Sequence, residues 1–333
     1  MKVLFIGGTG NISTSVSRLC VSKGIDLYLL NRKKTNTNLN GVKQITADIH
    51  NLAEVSGVLK DHKWDVVVNW IAFTKEDVLR DIKLFNGKTS QYIFISSASI
   101  YEKPLSNYIV TESTPLVNPF WQYSRNKIIC EEELNRAYHE TGFPITIVRP
   151  SHTYDTIIPA SAGGGNKYNI IHRLRNGKPI IVHGDGTSLW TLTHSVDFTK
   201  GFVGLIGNQK AIGESFHITS DESLTWDQIH TTIADALNVN ANIVHIASDY
   251  LAEYDESFRG SLLGDKAYSV VFDNAKIKAI VPEFTCNIPF SEGIKQTIDW
   301  FESKPRRMVV DEDYEKMIDE ILVSYGKTGA ALD

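Results

Sequence analysis

Tyr123-Ser124-Arg125-Asn126-Lys127 sets a phenol and an ammonium four residues apart. On a helix that spacing brings both to one face. A free tyrosine has a pKa of about 10, too high for a good base near neutrality, and a cation close by favours the phenolate. The pair therefore predicts a tyrosine made acidic by its lysine and able to take a proton from a hydroxyl. A third group must hold the substrate oxygen. Ser97, in Ile95-Ser96-Ser97-Ala98-Ser99, stands at the end of an apolar run and is placed to do so.

The partner for such a proton transfer is suggested at the start of the chain. Val3-Leu4-Phe5-Ile6 is a short apolar run, followed at once by Gly7-Gly8-Thr9-Gly10-Asn11-Ile12-Ser13. The run reads as a buried parallel strand and the residues after Ser13 as a helix. Glycines let the backbone turn tightly there and approach a ligand. The free amides of the helix N-terminus would then take a pyrophosphate. Ser13 stands where a third glycine is usual in such a turn. Residues 26–30 read as a second strand, ending in Asn31-Arg32-Lys33-Lys34. An acid at that point binds the ribose of NAD, and an arginine accommodates the 2′-phosphate of NADP. With the acid missing and three cations following, the sequence favours NADP, although Asn31 could hydrogen-bond an NAD ribose. Lys127 is placed to bond the nicotinamide ribose.

The elements that must hold these groups follow in order. Residues 43–46 read as strand three and lead to Asp48-Ile49, where a carboxylate can accept from an adenine amino group. Residues 64–69 read as strand four, opening into Trp70-Ile71-Ala72-Phe73, with Ala72 in a small apolar stretch suited to lie along the cofactor. Residues 77–85 read as a helix, 91–96 as strand five, 123–140 as a long helix and 145–149 as strand six. This alternation predicts an α/β fold with a doubly wound parallel sheet over residues 1–150. Past Arg149 the rhythm breaks. Residues 161–165 are small and glycine-rich and read as a mobile loop. Residues 151–301 read mainly as a smaller α+β substrate lobe, with a segment near 184–206 returning to the first domain. Residues 302–333 form a charged, partly helical tail.

The chain has 333 residues, more than one core usually serves. Hydrophobic residues make up 42% and charged residues 22%, as in ordinary globular proteins. A formal net charge of -5 argues against a nucleic-acid partner. No apolar stretch is long enough to span a bilayer, and the N-terminal run is too short for a signal peptide. Cys20, Cys130 and Cys286 fit neither a disulfide framework nor a zinc site, so the expectation is a reducing cytoplasm and no metal.

Taken together, these residues resemble the extended short-chain dehydrogenase/reductase family, which includes NAD(P)-dependent sugar-nucleotide epimerases and dehydratases. Gly7, Gly8, Thr9, Gly10, Asn11 and Ile12 are similar to its pyrophosphate loop, and Asp48-Ile49 to its adenine contact. Residues 93–101 are similar to its active-site strand, with Ser97 in the serine/threonine position. Tyr123 and Lys127 match its catalytic pair. Val148-Arg149-Pro150-Ser151-His152 resembles the segment where Pro150 and Ser151 would flank the nicotinamide. Gly184-Asp185-Gly186 with His194 and Asp197, Phe272-Asp273-Asn274-Ala275-Lys276-Ile277 and residues 290–300 resemble later family segments. The resemblance implies a Rossmann domain with a small C-terminal substrate domain. It also implies a small-molecule substrate contacted by Ser97, Ser99, His152 and Trp190, and a homodimer through the helices around the catalytic pair.

The departures are informative. Dehydratases carry an Asp-Glu pair after the active-site hydroxyl residue, where this chain has Ala98 and Ser99. Dehydration by that route is disfavoured. Trp190 stands where many epimerases place an arginine on the substrate diphosphate, and His152 replaces a common asparagine. Arg173 and Arg259 are candidate substitute cations. The leading expectation is an epimerase or oxidoreductase acting at a carbinol or carbonyl carbon. A reductase of a small non-sugar carbonyl, with Trp70, Phe73, Trp121, Tyr154 and Trp190 as an aromatic pocket, is a variant of it. A cofactor- or RNA-binding protein on the same fold, similar to the chloroplast stem-loop-binding branch, is the alternative.

Overall fold

The computed structural model describes residues 1–33 and 39–330, with side chains through residue 326. Its centre is a seven-stranded parallel sheet. The strands are β1 (Lys2–Ile6), β2 (Asp26–Asn31), β3 (Lys43–Thr46), β4 (Val66–Asn69), β5 (Tyr92–Ile95), β6 (Ile145–Pro150) and β7 (Glu214–Ile218), in the order β7-β6-β5-β4-β1-β2-β3. That order reverses between β1 and β4, the point at which doubly wound sheets open a ligand crevice at the strands' carboxyl ends.

The unbroken apolar runs exist because both faces are covered. Val3, Leu4, Phe5 and Ile6 are all fully buried. On one face β1 packs with Val16 and Cys20 of helix α1 (Ser13–Ser22) and with Phe198 and Phe202 of a later helix. On the other it packs with helices α2 (Leu52–Leu59), α3 (Lys75–Phe85) and α4 (Gln122–Thr141) through Val55, Val78, Phe85 and Leu134. A capping box starts α3, with the Thr74 side chain bonding Asp77 and Asp77 reaching back to Thr74. The later helix, α5 (Ser195–Leu205), lies against α1 and feeds β7, so chain well past Arg149 completes the parallel sheet.

The second lobe is built from short pairs. His152–Tyr154 pairs with Leu192–His194, and Ile180–His183 with Ile243–Ile246, both parallel. Its core gathers Tyr154, Trp190, Trp226 and Phe290. The segment expected to be a mobile loop is pinned. Ser161 is fully buried with its Oγ 2.8 Å from His183 Nδ1, and the Tyr314 hydroxyl donates to the carbonyls of Ala162 and Gly163. Tyr314 lies on the last helix, α6 (Glu312–Ala330). The same helix sends Glu315 and Asp319 to Arg173, at 3.0 and 2.6 Å. A second buried pair, Arg149 with Glu131, clamps β6 to α4 at 3.0 and 2.6 Å.

Candidate active site

The carboxyl ends of β1, β2, β4, β5 and β6 surround a cleft of about 640 Å³. Its floor is the glycine turn. Gly7 and Gly8 have φ of +89° and +106°, a region that disfavours side chains. A Cβ on Gly8 would lie 2.6 Å from Leu29 Cδ2. Helix α1 begins with no side-chain cap and no acidic residue in its own first turn, and its N-terminal dipole faces the cleft, with the Asp155 carboxylate beside it on Ser15. Ser13, in the third-glycine position, is buried, and its Oγ accepts from the amide of Gly10 at 2.9 Å.

Most of the expected dinucleotide contacts converge here. Gly7, Thr9, Gly10, Asn11 and Ile12 line the cleft, as do Asn31, Arg32, Ile49, Pro150 and Ser151. Three are used differently from the expectation. The Asn11 amide is spent on the second lobe, donating to Thr153 O at 2.9 Å and accepting from Thr156 N at 2.9 Å. Asp48 lies outside the lining because its carboxylate accepts from the His50 amide at 3.0 Å, closing its own turn. Ala72 is buried behind the wall and acts through its carbonyl. Lys34, the last of the three expected cations, falls outside the described residues.

Ser97, Tyr123 and Lys127 meet at the inner end of the same cleft. The hydroxyls form a chain, with Ser97 Oγ 2.9 Å from Ser99 Oγ and Ser99 Oγ 2.8 Å from Ser124 Oγ. Lys127 is buried, with Nζ donating to Ala72 O and Ile95 O at 2.7 Å each. Burial pushes its pKa down to about 8. The expectation that Lys127 acidifies Tyr123 is not met in this geometry. The ammonium points to the two carbonyls, 5.8 Å from the centre of the Tyr123 ring. Burial is the largest influence on the phenol and raises its pKa, while hydrogen bonding with Ser97 opposes the rise.

A model of the NAD dependent epimerase/dehydratase family matches residues 75–219, from α3 through β7. The chain is similar to the chloroplast stem-loop binding protein of 41 kDa b of Arabidopsis thaliana, 30% identical over 71% of this chain and spanning 63% of that protein's length. It is 21% identical to the 2'-dehydrokanamycin reductase of Streptomyces kanamyceticus over 85% of this chain and 80% of that one. Over residues 75–219 the chain is similar to the NAD dependent epimerase/dehydratase family. Its fold superposes on the UDP-glucose 4-epimerase of Bifidobacterium longum, solved with NAD+ and UDP, with a TM-score of 0.74 at 17% identity. The match covers 93% of this chain and 100% of that one.

Beyond Ser97 and Tyr123 the chain has an inner cavity of about 240 Å³. Ser99, His152 and Trp190, expected to face substrate, all line it. Burial holds the His152 imidazole neutral by pushing its pKa down to about 3. Its Nε2 and the Trp190 Nε1 are buried without a hydrogen-bond partner among the described residues. The expected aromatic pocket is divided. Trp121 and Trp190 line the inner cavity, Trp70 and Phe73 line the outer cleft, and Tyr154 packs away from both against His194 and Phe290. Neither candidate substitute cation reaches the site, because Arg173 is held by α6 and Arg259 by Glu256. The cavity's cation is Lys103, facing Asp265, and sequence reading identified neither. Lys103 lies only six residues past Ser97, a proximity that could have flagged it. Asp265 comes from a distant part of the chain and carried no such signal.

Proposed function

We propose that this protein is an NAD(P)-dependent epimerase or oxidoreductase acting at a carbinol or carbonyl carbon of a sugar-nucleotide or related small molecule. The observation that carries the reading is that one cleft joins the glycine turn at α1 to Ser97, Tyr123 and Lys127. Its volume falls in the range of cofactor clefts, and its floor tolerates no side chain at Gly8. When bound, the nicotinamide accepts or returns a hydride.

The chain's own groups do the rest. The amides of Asn11, Ile12 and Ser13, which lead into α1, would take the pyrophosphate, while those of Gly7 and Gly10 are bonded to Leu30 O and Ser13 Oγ. An ammonium has three N–H donors. Two of those on Lys127 are used by Ala72 and Ile95, which leaves one for a ribose hydroxyl. Ser97 donates to the substrate oxygen, and Tyr123 moves the proton at that same oxygen. Because burial favours the protonated phenol, Tyr123 is set to give a proton, the form needed in carbonyl reduction. Ala98 and Ser99 supply no titrating group where a dehydratase needs two.

Arg32 at the cleft and the exposed Lys33 beside it support NADP as the preferred dinucleotide. The exposed Leu79 and Ile129, on the packed helices α3 and α4, support a homodimer through that face. Three free thiols fit a reducing cytoplasm. No helix among the described residues is long and apolar enough to cross a membrane. An RNA- or cofactor-binding role on this fold is not favoured, since a pure binder has no use for the assembled Ser97, Tyr123 and Lys127.

The test is mass spectrometry of nucleotides released from native protein, followed by nicotinamide absorbance with candidate alcohols and ketones. Bound dinucleotide and a substrate-dependent absorbance change are expected. Protein that neither retains nor binds a nicotinamide dinucleotide would overturn the reading.

A further inference from the structure

The inner cavity holds two charges that the protein leaves unmatched. Lys103 is buried, at 4% exposure, and Asp265 faces it from the π-helical segment Arg259–Lys266. Among the described residues neither side chain makes a hydrogen bond or an ion pair. Each feels the other's charge across the space. Asp265 is half-buried, and the charged ends of both side chains open to the cavity, so a ligand that bonds both replaces water there with charge-assisted bonds.

We propose that Lys103 and Asp265 select a compact, uncharged, polyhydroxylated ring the size of one monosaccharide or cyclitol, in preference to a nucleotide-diphosphate sugar. The inference rests on the oxidoreductase reading above and names its substrate class. A hydroxyl both donates and accepts. Neighbouring hydroxyls of one ring can therefore accept from Lys103 while donating to Asp265, making charge-assisted bonds at both ends. Trp121 and Trp190 present indole surface to the apolar C–H face of such a ring.

The same cavity is hostile to a diphosphate. No arginine lines it, and its one lining ammonium, Lys103, is offset by Asp265, with Lys266 acting from outside the lining, so a dianion would meet a carboxylate at close range. Its volume of about 240 Å³ suits one ring. The roof is fixed. Asn118 Nδ2 donates to Ser99 O at 2.8 Å and to Gly264 O at 2.7 Å, tying the roof to the catalytic turn. Trp121 fills the space that any side chain at Gly260 or Gly264 would need.

The full chain loaded with its dinucleotide is titrated by tryptophan fluorescence with D-glucose, D-galactose, myo-inositol and methyl α-D-glucoside, and separately with UDP and UDP-glucose. Nicotinamide absorbance is followed alongside. At least one neutral ring should bind saturably, about tenfold tighter than either uridine nucleotide. Lys103→Met and Asp265→Asn should each weaken that ring about tenfold or more, raising KM with kcat little changed, while dinucleotide binding persists as proof of folding. Tighter binding of UDP-glucose, saturation by no neutral ring, or unchanged affinity in both variants each overturns the proposal. If UDP-glucose changes the nicotinamide absorbance through Tyr123, the oxidoreductase reading stands and this inference falls. Loss of dinucleotide binding in the native chain would instead remove the reading beneath it.

Discussion

Lys127 Nζ donates to the carbonyl of Ala72 at 2.7 Å, so helix α4 is bolted to the loop that leaves β4. The bond to Ile95 O ties it equally to β5. The lysine is thus oriented by strand ends and not by its tyrosine. Three aromatic rings, Phe73, Phe94 and Tyr123, surround it at 4.5 to 5.8 Å.

This enclosure makes dinucleotide affinity pH-dependent. Lys127 titrates near 8 because burial disfavours its charge. Raising the pH through about 8 removes the cation proposed to bond the ribose. The dissociation constant for the dinucleotide should rise above that pH, and Lys127→Met should flatten the profile. Calorimetric titration between neutral and alkaline pH reads both effects.

Tyr123→Phe keeps the ring and deletes the proton. Turnover should fall by roughly 10²–10⁴-fold, the usual worth of general acid–base help. Dinucleotide binding should persist, because the phenol oxygen does not carry it. Unchanged turnover in this variant would remove Tyr123 from the chemistry.

Arg32→Ala tests the choice between the two dinucleotides. Losing a charge-assisted bond to the 2′-phosphate should weaken NADP+ by about tenfold and leave NAD+ nearly unaffected. Equal losses for both dinucleotides would place Arg32 on a part that the two share.

Gly8→Ala forces a side chain into a positive-φ site and against Leu29. A stability loss of about 1–3 kcal/mol is expected, with a parallel loss of dinucleotide affinity. Thermal unfolding with and without dinucleotide separates the two effects.

Among the imidazoles whose pKa burial lowers, His152 falls to about 3 and His183 and His230 to about 4. Each has an unfolded value near 6.5. Below that pH the unfolded chain binds the proton and the folded chain resists it, so stability rises with pH across the window. The contribution is complete above pH 6.5 and is lost as the pH falls toward 4. Each histidine should cost about 2 kcal/mol between pH 6.5 and 5. His230→Gln should show a shallower fall of melting temperature over that range.

Much of this arrangement was readable from local pattern. The run Val3–Ile6 with its glycines, the strand at Ile145, and the helix bearing Tyr123 and Lys127 each announce themselves within a few residues. What escaped depended on chain returning from far away. Strand β7 lies 64 residues past the end of β6 in sequence, where nothing local ties it to the first domain, yet it completes the sheet beside β6. Helix α2 is one short apolar stretch after a turn and gave too few residues to set a period. Trp64 was read into strand four, but it makes only an isolated bridge to Thr89. The acidity of Tyr123 was misjudged because residue spacing reports which groups share a face and not where an ammonium points. Asp265 became legible only once the fold had set its segment over Ser99.

The carboxy-terminal helix also bears on how the protein can be handled. Arg173 lies fully inside the second lobe, and both of its carboxylate partners belong to that helix. Trimming the chain before residue 312 would remove both counterions of Arg173 and uncover the apolar cluster that Ile318 and Ile321 complete. Affinity handles therefore belong after the helix, and a shortened version built for crystallisation should be expected to precipitate.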